Sequence, residues 1–349
     1  MFLLPPLVVI IACNPEMEKA QRHKGEFPFS TEVSQLDEAL KLLDSSLSLI
    51  KWRLKPSART RLHMGLFLFS LSQSISPLDV LALCTGMRPV IMVDYGGKMP
   101  ELQERLCALL KLCQKESSIF QHLRVMIIED MIYLVHIRGL AEHVQSSLNS
   151  EIQLLFVDLE QDPLKMISQP ENNPLVMQFL SVQKLFAEIF LIDGMKSNCL
   201  SCPRTGEMLN VHYPVNDIMT LQSSYFIDLT SCLQDTQVTV PTLNGWLLGY
   251  PVVYAFGKEH ISEAIRNLST KSLHLFKISV CRNGSSTKGS EMEELLSFSV
   301  PYGLSTGGSN ELWAKAYLGH MQMKWERCKQ AWRSLRMDVS ECNPQAIVL

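Results

Sequence analysis

The stretch that decides how this chain is read is residues 243–258, LNGWLLGYPVVYAFGK. Nearly every position in it is apolar, yet Gly249, Tyr250 and Pro251 stand in its middle. Upstream, Pro241 and Thr242 are residues that open helices, and Gly249 is one that closes them. Tyr250 precedes a proline, whose ring pushes it out of the α region toward extended backbone. The run that follows, PVVYAF, is β-branched and aromatic, the composition of a strand. The stretch therefore reads as a joint, a helix ending and a strand beginning. Tyr250 and Tyr254 read as strand residues with buried rings and wet hydroxyls in preference to pocket groups.

Working outward, RPVIMVDYGGK (88–98) is opened by Pro89, runs apolar on both faces from Val90 to Val93, and stops at Gly96-Gly97. EIQLLFVDLEQ (151–161) repeats that pattern and again ends in aspartate. Short runs that are apolar on both faces fit central strands of a parallel sheet. Between them, Pro100 is placed to start a helix with Leu102, Leu106, Leu109 and Cys113 on its buried stripe. LRVMIIEDMIYLVHI reads as two β-runs around Glu129-Asp130. The alternation predicts a crossover-connected sheet in which the runs closing at residues 93 and 157 are same-direction neighbours. Further on, Leu175, Phe179, Val182, Phe186 and Ile189 mark one helix face, and residues 196–222 read as a long irregular connection. SLHLFKISVC and EELLSFSVP, joined by a turn-rich segment, read as an antiparallel pair. A helix over 310–336 closes the chain.

The fold class expected is α/β: a mixed sheet with a parallel N-terminal half and an antiparallel C-terminal half, helices on both faces. A helical N-terminal portion spans 30–85. There, Val33, Leu36, Leu40, Leu43, Leu47 and Ile50 form one stripe, a second helix covers 58–74, and a short one runs from Pro77 to Cys84. Residues 1–29 read as an apolar leader and linker, and 30–349 as a single domain.

At 46% hydrophobic and 19% charged, the chain is far too apolar for a disordered one and rich enough to bury a large core. A formal net charge of −3 gives bulk electrostatics no pull toward nucleic acid. The apolar run from Phe2 to Ala12 lacks a basic flank and is shorter than the roughly 20 residues of a membrane span, so no transmembrane segment is expected. That favours the cytoplasm, with the secretory pathway as the alternative if this run acts as a leader. The ten cysteines are scattered through apolar runs, as reduced thiols are. The one close pair, Cys199 and Cys202, lacks the further ligands of a zinc site and the strand-then-helix setting of a redox motif.

For chemistry, Asp94 and Asp158 each follow a buried strand, and ligands in open α/β sheets bind beyond strand carboxyl ends. Two carboxylates there suit a hard cation or acid–base work. Gly96, Gly97 and Lys98 add a place for a phosphate, without a dinucleotide or P-loop fingerprint. Aspartate after a strand also simply turns the chain. No nucleophile elbow or metalloprotease motif is present, no metal site is read, and no cofactor is identified. His122, His136, His143, His212 and His274 show no ligand spacing and read as surface or partly buried residues. ELWAKAYLGHMQMKWERCKQAWRSLR (311–336) carries an aromatic stripe with Tyr317, Met321, Trp325, Cys328, Trp332 and Leu335. It also carries Lys324, Arg327, Lys329, Arg333 and Arg336, which makes it the candidate surface for a protein partner. The same pattern fits a terminal helix packing its aromatic face on its own domain.

LLGYPVVYAF, LLSFSVP, RPVIMVDYGG and the terminal AIVL together resemble an uncharacterised animal protein family. That family is known only by an open-reading-frame label on human chromosome 1 and a domain of unknown function. The likeness covers roughly residues 60–349 and implies no activity, cofactor or catalytic residue. The function expected is thus a non-catalytic binding or scaffold protein. The alternative is a small-molecule or phosphate-handling enzyme with an acidic pocket at the strand carboxyl ends.

Overall fold

The opening joint is folded as its sequence dictates. In the computed structural model Val240–Leu247 is a helix, started by the Thr239 side chain accepting from the Thr242 N–H. Gly249 ends it at φ +80°, and Val252–Ala255 follows as a strand. An added Cβ on Gly249 would sit 3.3 Å from Pro89 Cδ, so both the conformation and the space require glycine. The structure describes residues 38, 41, 77–93, 100–149, 151, 153–190, 225–283 and 292–347. Of the expected N-terminal helix only Glu38 and Lys41 are described, and both are helical. The leader, the helix over 58–74, the connection over 196–222, His212 and the Cys199/Cys202 pair lie outside the described residues.

The chain is a mixed α/β fold with both parallel and antiparallel strands, as expected. Helices are α1 (Pro77–Cys84), α2 (Glu101–Glu116), α3 (Ile137–Leu148), α4 (Pro174–Ile189), α5 (Val240–Leu247), α6 (Ile261–Ser269) and α7 (Leu312–Arg327). One sheet has the order β1-β3-β2-β6, with β1 at Val90–Val93, β2 at Leu123–Ile128, β3 at Met131–His136 and β6 at Phe226–Asp228. β2 and β3 form the hairpin read around Glu129-Asp130, with Glu129 at φ 55° in the turn. A second sheet is β5-β4-β7: β4 is Leu155–Asp158, β5 is Lys165–Met166 and β7 is Val252–Ala255. The third is β10-β8-β9, with β8 at Leu273–Arg282, β9 at Glu293–Pro301 and β10 at Trp332–Cys342. β8 and β9 are the expected antiparallel pair.

The strand neighbours differ from the sequence reading. The run closing at Val93 pairs antiparallel with β3, and the run closing at Val157 lies in the second sheet. They are not same-direction neighbours. Parallel pairing joins β2 to β6 and β4 to β7, strands far apart in the chain. What the apolar runs do register is burial on two faces. Ile91, Val125, Ile127, Leu134 and Val157 pack into one core, while Val90, Met126, Tyr133, Phe156 and Val253 pack into the other. Two-sided burial of this kind arises whenever a strand layer is covered on both sides, whatever its strand directions.

The first core is closed by α1, α2, α6, α7 and the third sheet, and the second by α3, α4 and α5. Trp246 of α5 is fully buried at the centre of the second, edge-on to Phe179 and Phe186. In the first, Phe276 stacks on Phe298 with 5.3 Å between centroids, and Tyr317 of α7 meets Phe298 edge-on. The Tyr254 hydroxyl donates to the Ser299 carbonyl, tying β7 to β9, and Tyr133 donates to Asn244 Oδ1, tying β3 to α5.

The final helix is shorter than expected. It ends at Arg327, and the chain turns back at Cys328 to enter β10, so Trp332, Arg333, Leu335 and Arg336 belong to a strand. Trp332 is completely buried and its indole N–H donates to Thr85 Oγ1. The aromatic stripe read as a candidate partner surface is therefore in large part core.

Candidate functional site

A cavity of about 310 Å³ opens where the loop after α1, one face of α3 and the last turns of α7 meet. The loop supplies Thr85, Gly86 and Pro89. Gly86 sits at φ +74° just past the helix end and donates to the Leu83 carbonyl, the geometry of a glycine helix stop. From α3 come Gly139, Glu142, His143 and Ser146, and from α7 come His320, Lys324 and Arg327. Each set recurs at spacings of three and four, so each forms one stripe of its helix.

The groups are perturbed by their shared enclosure. His143 is 6% exposed, stacks on Trp246, and has its Nε2 2.9 Å from the Trp246 carbonyl. That carbonyl can only accept, so Nε2 carries the ring proton and Nδ1 holds a lone pair. Nδ1 is buried without a partner, as is Nε2 of His320. Burial, reinforced by the charge on Lys324, holds His143 down at about 3. Burial, then Lys324 and Arg327, holds His320 down at about 4. Both rings are therefore neutral at neutral pH. Lys324 is lowered to about 8, first by burial and then by the like charge of Arg327, with Glu142 acting in the opposite sense. Burial raises Glu142 above the ordinary carboxylate range, against the pull of Arg327, Lys324 and Arg138. At the cavity wall, burial pushes the Cys328 thiol up to about 12, so it is a packed sulfur and no thiolate nucleophile.

Chemically, this is a concave site in which two cations from one helix stand close together, and two carboxylates also line it: Glu142, half-buried and of weakened acidity, and the exposed Glu151. Among the described residues Lys324 closes no ion pair. A negatively charged group entering the cavity would relieve the Lys324–Arg327 repulsion and stabilise the ammonium.

The residues singled out from sequence lie elsewhere. Asp94, Gly96, Gly97 and Lys98 are outside the described residues. Asp158 lines a separate cavity of about 380 Å³ beyond the carboxyl ends of β4 and β7, with Glu160, Gly257, Glu259 and His260. Its two oxygens are occupied: Oδ1 accepts from the Glu160 N–H at 2.9 Å and Oδ2 from Gln161 Nε2 at 2.7 Å. That is the turn-holding role aspartate plays after a strand. Glu160 is likewise engaged, accepting from the Gly257 N–H at 2.7 Å. Because β1 and β4 belong to different sheets, the crevice between adjacent parallel strands that linked Asp94 to Asp158 does not form. Among the described residues no group of three or more His, Cys, Asp or Glu side chains is arranged to hold a metal ion.

Sequence reasoning named His143, Lys324 and Arg327 without joining them. His143 is buried where a surface or partly buried residue was expected, as are His136 and His274. The signal that points to the site is the polar stripe His320, Lys324, Arg327 on an otherwise aromatic helix, facing a second polar stripe on α3.

Compared with known families, residues 44–349 match the family described as a domain of unknown function, DUF4504. No curated protein and no solved structure matches the chain.

Proposed function

The chain belongs to the DUF4504 family, whose description assigns no activity, and we propose from its own geometry that it is a binding protein for a small anionic molecule held between α3 and α7. The observation that carries this reading is the placement of two cations on one wall of the cavity, the half-buried Lys324 beside the exposed Arg327, with the Lys324 ammonium lowered to about 8. A cavity of about 310 Å³ admits a ligand of metabolite size and no macromolecule. Cys328 stays protonated, so the site offers no thiolate nucleophile, and it is the pairing of Lys324 with Arg327 that favours anion binding.

Thermal unfolding in the presence of inorganic phosphate, pyrophosphate and small dicarboxylates tests it. A bound anion raises Tm by linkage, by about 2.7 kcal/mol of stability at a hundredfold excess over Kd. Lys324→Met, which keeps the aliphatic stem and removes the charge, should weaken that binding at least about tenfold. Binding should also fade as the pH rises through about 8, where Lys324 loses its proton. A Tm indifferent to all of these anions would overturn the reading.

We place the protein in the cytoplasm. Cys84, Cys107, Cys113, Cys232, Cys281, Cys328 and Cys342 are all free thiols, which suits a reducing compartment. Among the described residues no helix is long and apolar enough to cross a membrane.

A further inference from the structure

β10 is an edge. Ten of its eleven residues, all but Arg333, pair with β8 on one side, and among the described residues its other side pairs with no strand. A strand of that length presents a row of N–H and C=O groups along its open side. Edges left exposed are usually short, broken by proline or bulged along their length. Here the only register shift lies at the Trp332/Ser334 end, and the rest runs straight to Cys342.

The order of side chains along this edge is self-complementary. Laid antiparallel on a second copy with Met337 opposite Met337, Arg336 faces Asp338, within the part of the strand whose register is regular. Leu335 faces Val339 on the core side of the strand, where both already pack in one molecule. This charge pair occurs twice, because the arrangement is two-fold. Arg336 and Asp338 already attract each other along one strand, with Nη2 2.8 Å from Oδ2, and their side chains stay 67% and 43% exposed. Moving the same contacts across the strand boundary needs no buried charge to be uncovered.

Other registers are penalised. Sliding by two residues puts Arg336 opposite Arg336 or Asp338 opposite Asp338, like charges directly across the pair. A slip by one residue sets core-facing Leu335 and Val339 against the polar face. We infer that β10 is the surface through which two copies of this chain join, antiparallel about a two-fold axis at Met337, making one six-stranded sheet from two three-stranded ones. This is an isologous contact, which closes at two copies and does not propagate into a filament. It stands apart from the anion cavity and survives if that reading fails.

Sedimentation velocity of the full chain at about 100 µM, enough to populate complexes of micromolar affinity, tests the proposal. The wild type should sediment at about 79 kDa, twice the 39.5 kDa of one chain. Asp338→Arg sets four cations around the axis and should weaken association at least about tenfold, as should Arg336→Asp with four anions. Combining the two substitutions restores opposite charges across the axis and should restore the dimer. Arg336 is exposed and Asp338 partly so, and circular dichroism verifies that each variant stays folded. A monomeric wild type, a dimer indifferent to both single reversals, or a folded double variant that remains monomeric overturns the proposal.

Discussion

At the scale of single residues, His143 shows how enclosure sets chemistry. Its folded pKa of about 3 lies below the ordinary 6.5. Between those values the unfolded chain binds the proton and the folded chain does not. Stability therefore falls as the pH drops below about 6.5. His136 and His320, each held at about 4 chiefly by burial, add to the same trend. Glu142 works the other way, since its raised pKa favours the fold as the pH enters the carboxylate range. One such histidine contributes a slope on the order of 1.4 kcal/mol per pH unit. Urea unfolding at pH 7 and pH 5 should show that slope in the wild type and a shallower one in His143→Gln, whose amide does not titrate. Equal slopes would mean that His143 charges inside the fold. Its sequence neighbours gave no sign of this burial, because His143 is enclosed by α5 and α7, which arrive from about a hundred residues or more downstream. Gly249, by contrast, was legible from its neighbours alone. A Gly249→Ala variant should lose about 1–2 kcal/mol from the left-handed backbone, and more from the 3.3 Å approach to Pro89, in a chemical-denaturation midpoint.

Among elements, the boundary between α7 and β10 separates what local sequence determines from what it does not. Leu335, Arg336 and Met337 are helix formers, and the aromatic stripe continues through Trp332 at helical spacing. Nothing in 328–336 carries a proline or glycine to stop a helix. The strand exists because β8 offers a ten-residue partner, from Leu273 to Arg282, a tertiary fact that outweighs propensity. The two tryptophans of this region therefore separate cleanly. Trp332→Ala removes a fully buried ring and should cost about 3–5 kcal/mol. Trp325 is half-buried, with its indole N–H on the Trp332 carbonyl, and Trp325→Ala should cost clearly less. Denaturant unfolding of both variants gives the ranking, and the reverse order would put the stripe on the surface. The helix-to-strand joint at residues 243–258, the β2/β3 hairpin and the β8/β9 pair were all readable, because their turn residues act within a few positions.

For the whole molecule, periodicity revealed which strands were buried on both faces and left their neighbours open. An apolar run such as Val90–Val93 reports two covered faces, and both parallel and antiparallel sheets supply them. Strand order is set by contacts between segments as distant as β2 and β6, which no local pattern encodes. The anion cavity has the same origin: α3 and α7 each carry a modest polar stripe, and only their meeting makes Lys324 unusual. The charge state of that one ammonium is thus the most direct report on the proposed function. NMR titration of the Lys324 side chain, assigned through Lys324→Met, measures it with and without inorganic phosphate or a small dicarboxylate. The predicted result is a pKa near 8 in the free protein, rising by at least about one unit when an anion binds. An ordinary lysine value in the free protein, or one that no anion moves, would contradict the account.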